Sequence, residues 1–186
     1  GAPTFGAVNA APKVGPLVIS EILFKPFAGA SQHIEITNIS NNAVTLGGSD
    51  PGATWQVQGG FFSFPGGFAL PAGGKVLITS GSPHAACAVM GDRGYTRILG
   101  PYAQLLSTEV QRVALNMPLT IGGTALVDLV EYKTQSPWHN PGEGVALIRS
   151  NVSTYGNDPA NWQLASGISP QPAAGTLCAF TALPSS

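Results

Sequence analysis

Two glutamates, Glu21 and Glu35, are the side chains of this sequence best suited to act together. Paired carboxylates held roughly 5–10 Å apart in a cleft can serve as acid and base in glycoside hydrolysis. Each of them, however, sits in an apolar run that reads as a strand. The first is Leu-Val-Ile-Ser-Glu-Ile-Leu-Phe at 17–24, and the second is Gln-His-Ile-Glu-Ile-Thr-Asn-Ile-Ser at 32–40. In the second run Ile34 and Ile36 fall on one side, and His33, Glu35 and Thr37 on the other. That period of two predicts a strand with one buried face. A carboxylate in such a place is ordinarily a scaffold group paired with a cation or with backbone donors.

The other chemistry-bearing residues stand more alone. His84 precedes Cys87 by three residues, a spacing open to a metal or a Cys–His pair. No second such pair occurs, and the chain holds only 3 His. The stretch Ser80-Gly81-Ser82-Pro83-His84 lacks the Gly-x-Ser-x-Gly elbow of a catalytic serine and reads as a turn. Gly-rich pairs precede strands rather than helices, so neither a phosphate loop nor a dinucleotide fingerprint is found. Asp50, Asp92 and Asp158 lie in Gly-, Pro- or Asn-rich turns. Each could offer loop oxygens to Ca²⁺, but without neighbouring acids at regular spacing a local turn hydrogen bond is the ordinary reading. No metal and no cofactor is therefore expected. Trp55, Trp138 and Trp162, with Tyr95 and Tyr102, could stack on sugar rings if exposed together; otherwise they are core and loop packing. Asn38 and Asn151 open Asn-x-Ser patterns for glycosylation.

Composition narrows the classes of partner. The chain has 186 residues, enough to bury a sizeable single core, with 44% apolar but only 9% charged residues. The 24 Gly and 16 Pro punctuate the apolar runs rather than forming one low-complexity tract, so they mark turns. A surface so poor in charge suits an exported protein or a subunit packed against neighbours. With a net charge of -1 and no two of its 8 Lys and Arg residues adjacent, the chain lacks the clustered cations of a nucleic-acid or polybasic membrane site. Its apolar runs fall far short of the ~20 residues needed to span a bilayer. The Gly-Ala-Pro-Thr opening is compatible with a mature end left after a leader is removed, so the expected location is secreted, periplasmic or cell-surface. Cys87 and Cys178 permit one bridge, which would stabilise the fold by roughly 4–5 kcal/mol in the chain-entropy model; two unpaired thiols are the alternative.

The elements that position these residues are short. Residues 1–15 read as an extended arm, and from Pro16 onward apolar runs recur between turn signals. Strands are expected near 44–46, 54–57, 61–64, 76–78, 112–115, 119–121, 125–133, 145–148 and 162–164. Asn-Met-Pro at 116–118 reads as a turn-like break. In the 125–133 run Leu126, Asp128, Val130 and Tyr132 are expected to face one way. Helix signals are scarce, with a turn or two at most over 103–113. About eight to ten short strands with Gly/Pro-rich turns predict an all-β sandwich or barrel. The segment 80–111 is unusually long for a sandwich connection, so it is either functional or has structure of its own. It holds His84, Arg93, Tyr95 and Tyr102, candidates for an interaction loop.

The order of these motifs resembles the lamin tail domain, an immunoglobulin-like β-sandwich. Leu17-Val18-Ile19-Ser20-Glu21-Ile22 is similar to that family's opening strand, Ile34-Glu35-Ile36-Thr37-Asn38 to its "I-E-L-x-N" strand, and Val44-Thr45-Leu46 to the run that follows. Leu70-Pro71-Ala72-Gly73-Gly74-Lys75-Val76, Val127-Asp128-Leu129-Val130-Glu131-Tyr132, Gly144-Val145-Ala146-Leu147-Ile148-Arg149 and Asn161-Trp162 resemble its later turn and strands. The likeness spans about 16–175, leaving 176–186 as a C-terminal tail. The chain departs from the pattern in the late Trp55, in an expanded loop before Arg112, and in the separation of Pro170 from Gly175. No heptad seam of the kind that precedes the domain in lamins occurs here. The resemblance implies that Glu21 and Glu35 are structural, and a buried Glu35 would need a cation, for which Arg149 is the expected partner.

These readings converge on a non-enzymatic structural or protein-interaction module of an exported or cell-surface assembly. Its expected partners are other proteins or copies of itself, met through the arm, the 80–111 loop and strand edges. A carbohydrate-binding module is the alternative, and a hydrolase the third reading.

Overall fold

The computed structural model describes residues 13–50, 53–58, 62–90 and 93–165. Its strands are β1 (Leu17–Leu23), β2 (His33–Asn38), β3 (Val44–Thr45), β4 (Gln56–Gln58), β5 (Phe62–Ser63), β6 (Ala69–Leu70) and β7 (Lys75–Thr79), then β8 (Arg97–Leu99), β9 (Val110–Pro118), β10 (Thr124–Lys133), β11 (Ala146–Arg149) and β12 (Trp162–Ala165). A single helix among the described residues, α1 (Pro83–Met90), lies between β7 and β8. The twelve strands exceed the expected eight to ten because several ladders are only two residues long.

Six strands form one sheet in the order β12-β11-β1-β2-β7-β8, four form a second in the order β10-β9-β4-β5, and β3 pairs with β6. Alternation directs Ile34 and Ile36 of β2, and Val76 and Ile78 of β7, onto the inner face of the first sheet. There they meet Val57, Val113, Leu115 and Val130 of the second in one buried core. The chain is an all-β sandwich. Phe24 stacks on Tyr132 with ring centroids 4.2 Å apart, joining the two sheets near one end.

The long 80–111 segment does have structure of its own. β7 and β8 are parallel, so their connection must cross over, and α1 supplies the crossing. The helix lies on the outer face of the six-stranded sheet, where Ala86 and Cys87 meet Leu77 and Ile98. This corrects the expectation of one buried face: all six residues of β2 are buried, because α1 and the chain that follows it cover the second side. The start signal for this helix was present in Ser82–Pro83, since proline at the first helical position loses no bond. No helix forms over 103–113; residues 110–118 are strand. The break at 116–118 is also not a turn. β9 runs through Pro118, and the chain reverses at Leu119–Gly123, where the Leu119 amide donates to the Gly123 carbonyl.

Two β-bulges set the facing of the carboxylates. The β1–β2 register shifts between Ile19 and Glu21, so Ser20 is the extra residue. Leu17, Ile19 and Ile22 thereby point to the core, while Glu21 turns to the outer face. The β10–β9 register shifts between Leu126 and Asp128, so Leu126 parts from Asp128, Val130 and Tyr132 and reaches solvent.

Of the expected arm only residues 13–15 are described, with Gly15 lying against Val127. The expected tail 176–186 lies outside the described residues. Among those residues no helix is long and apolar enough to cross a membrane.

Candidate functional site

The bulge at Ser20 places Glu21 directly opposite Glu35 on β2. Residues so paired have Cβ atoms about 4.5–5.5 Å apart, so the two carboxylates share one patch of the outer face. Both are buried, at 3% and 4% exposure. His33 Nε2 lies 2.9 Å from Glu21 Oε1. Arg93, from the segment between α1 and β8, donates to Glu21 at 3.4 Å and 3.5 Å. Around Glu35, Ser20 Oγ donates to Oε1 at 2.7 Å and Lys75 Nζ approaches the same oxygen at 3.0 Å. Ser20 Oγ also lies 2.7 Å from Thr37 Oγ1.

Burial pushes the Glu21 carboxyl up, but the hydrogen bond and charge of His33 and the charge of Arg93 outweigh it and hold it below its usual range. An ionised Glu21 can only accept, so His33 Nε2 carries the bridging proton and Nδ1 is left without a partner. Burial, with the negative charge of Glu35 and Glu21 nearby, drives the Tyr95 hydroxyl far above its ordinary range against the pull of Arg93. It therefore stays protonated. The two glutamates face the cations of Arg93 and Lys75. Acid–base chemistry needs a route for substrate, and here the carboxylates lie under α1 and the 93–97 segment. What this arrangement does is fasten the crossover layer to the sheet by charge.

The expected Glu35–Arg149 contact is not formed. Glu35 is served by Ser20 and Lys75 on the outer face, whereas Arg149 Nη1 donates to Asp128 Oδ2 at 2.6 Å. The cause is the register: β11 ends at Arg149 and pairs with β1 only at Glu21 and Ile22, leaving the next stretch of β1 without a rung on that side. Side chains supply it. The Ile19 amide donates to Asp128 Oδ2 at 2.8 Å, and Arg149 Nη1 donates to the Ile19 carbonyl at 3.0 Å. Arg149 Nη2 reaches the Thr154 carbonyl, and Gly156 stands so close that a Cβ there would meet Asp128 Oδ1 at 2.7 Å. Burial pushes the Asp128 carboxyl up against the pull of Arg149 and the Ile19 amide. An acid in the apolar stripe of 126–132 was the available signal for this seam, since a buried charge demands a partner.

The interaction-loop candidates are split by the fold. His84 on α1 and Arg93 are exposed, Tyr95 is half-buried against the helix, and Tyr102 is in the core. Tyr102 therefore presents no surface; its hydroxyl donates to Gln32 Oε1 at 3.3 Å. Trp55, Trp138 and Trp162 are likewise buried in the core, so they form no sugar-stacking row. Cys87, on α1, is buried against the sheet, and its candidate partner Cys178 lies outside the described residues, as does Asp92. Asp158 caps the turn at Pro159–Asn161 through the Ala160 amide. Among the described residues no group of three or more His, Cys, Asp or Glu could hold a metal. The Asn38 amide is buried and donates to the carbonyls of Asn42, Leu70 and Pro71, which leaves it no N–H for a glycan.

No family model matches this chain, and no curated protein matches it. The likeness to the lamin tail domain rests on the motifs alone.

Proposed function

We propose that this chain is a non-enzymatic structural or protein-interaction module of an exported or cell-surface assembly, with an immunoglobulin-like sandwich of the lamin-tail kind. The observation that carries the reading is the β9–β10 hairpin. β4 pairs with β9 only at 114–116, so the hairpin continues beyond the sheet. Its ten residues 117–126 include no charged side chain, Ile121 at the tip is 92% exposed, and Leu126 on the outermost strand is 50% exposed. Apolar side chains on an open strand edge are what a partner's strand can cover. The opposite end of β10 is blunted, because the Glu131 amide donates to Asn157 Oδ1 at 2.7 Å. The surface poor in charge supports the exported, assembled setting.

The test is native mass spectrometry of the particle isolated from its source, alongside an Ile121→Lys/Leu126→Lys variant. A multimeric or hetero-oligomeric particle that the variant releases is the expected result. A monomeric particle overturns the reading.

A further inference from the structure

We infer that the outer end of the four-stranded sheet binds a neutral oligosaccharide. Alternation on β4 buries Val57 and turns Gln56 and Gln58 outward. They border a groove of about 550 Å³ that Gln104, Gln111, Arg112 and Ser63 complete. That volume lies in the roughly 300–1,000 Å³ range of small-molecule sites. Phe62 also borders the groove, but it pairs with Val57 and packs on the core.

The chemistry of this lining is specific. Each glutamine amide offers two N–H donors and a carbonyl acceptor, which matches the donor-and-acceptor hydroxyls of a sugar. Gln56 and Gln104 make no side-chain hydrogen bond to another described residue. Gln111 is held in place: its Oε1 accepts from the Ser107 amide at 3.2 Å, and its Nε2 donates to the Arg112 carbonyl at 3.2 Å. One of its N–H groups therefore remains for a ligand. Among the described residues Arg112 is the only cation of the lining; its Nε lies 3.7 Å from Glu131 Oε1, and its Nη1 donates to Gln58 Oε1 at 3.5 Å. The groove is accordingly close to neutral, which favours a polyol over an anion. This inference concerns a different face from the hairpin tip and stands without the assembly reading.

The experiment follows the side-chain amide resonances of the whole chain by NMR during titration with cellotetraose, xylotetraose, mannotetraose, maltotetraose and, as a charged control, trigalacturonate. Expected are shifts at Gln56, Gln58, Gln104 and Gln111 with at least one neutral tetrasaccharide below about 10 mM, the range of a few hydrogen bonds. Gln58→Ala/Gln111→Ala, with its melting temperature unchanged, should weaken that binding roughly tenfold or more. No shift with any of the four neutral probes overturns the inference. So do shifts centred on other residues, a stronger response to trigalacturonate, or full binding by the double variant.

Discussion

At the seam between the sheets Asp128 faces one cation as buried as itself, Arg149, whereas on the outer face Glu21 and Glu35 meet cations that are half in water. Arg149 is 0% exposed at its side chain, while Lys75 and Arg93 are 44% and 39% exposed. The backbone explains the contrast. At the seam β11 ends before Ile19, so the Asp128–Arg149 pair substitutes for missing ladder hydrogen bonds. On the outer face β1, β2 and β7 are paired on both sides of the Ser20 bulge, and the charges there only attach a covering layer. A buried ion pair is thus used where the backbone lacks partners, and a looser cluster where it does not.

The largest effect should come from breaking the seam. Arg149→Met leaves Asp128 buried without its cation, and urea unfolding should show a loss of about 3–5 kcal/mol. Removing both charges, in Asp128→Leu/Arg149→Met, should recover part of this. A cost of about 1–3 kcal/mol should persist, because the Ile19 amide and carbonyl then have no partner. A neutral double variant would reduce the seam to an ordinary ion pair.

Much of the sandwich was legible in the sequence because alternation in 33–38 and 128–132 reports facing directly. What escaped it depends on register. A bulge adds one residue without any composition signal, so neither the outward turn of Glu21 nor the exposure of Leu126 could be read. The partner of Arg149 escaped for the same reason: Asp128 lies 21 residues away and reaches it only through the crossing of β10 over β1. The site residues Glu21, Glu35, Arg93 and Tyr95 were visible as types, but their assembly required α1, a helix of only 8 residues with no apolar stripe to announce it.

An intermediate effect is expected at Glu21, and it has a sign in pH. Glu21→Gln gives up charge-assisted bonds to His33 and Arg93, a loss of about 1–3 kcal/mol near neutrality. The folded carboxyl titrates below its unfolded value of 4.5, so its stabilisation is complete above that value and disappears as pH falls through the folded one. The stability gap between wild type and Glu21→Gln should therefore close on acidification below about pH 4.5 in a series of urea melts. A gap that widens there would mean that burial, not His33 and Arg93, governs this carboxylate.

The smallest effect belongs to Lys75. Its side chain is 44% exposed and its ammonium is 3.0 Å from Glu35, which also accepts from Ser20. Lys75→Met should cost no more than about 1 kcal/mol, and less at about 1 M salt, where exposed charges are screened within some 3 Å. Arg149→Met measured in the same salt should keep its full cost, since no ions reach that pair. Salt dependence thus separates the two regions independently of the size of either loss. If Lys75→Met costs more than about 2 kcal/mol and is indifferent to salt, Glu35 relies on its cation as Asp128 does on Arg149. The outer cluster would then be a second seam rather than a fastening, and the covering helix would be as integral to the sandwich as the pairing of its sheets.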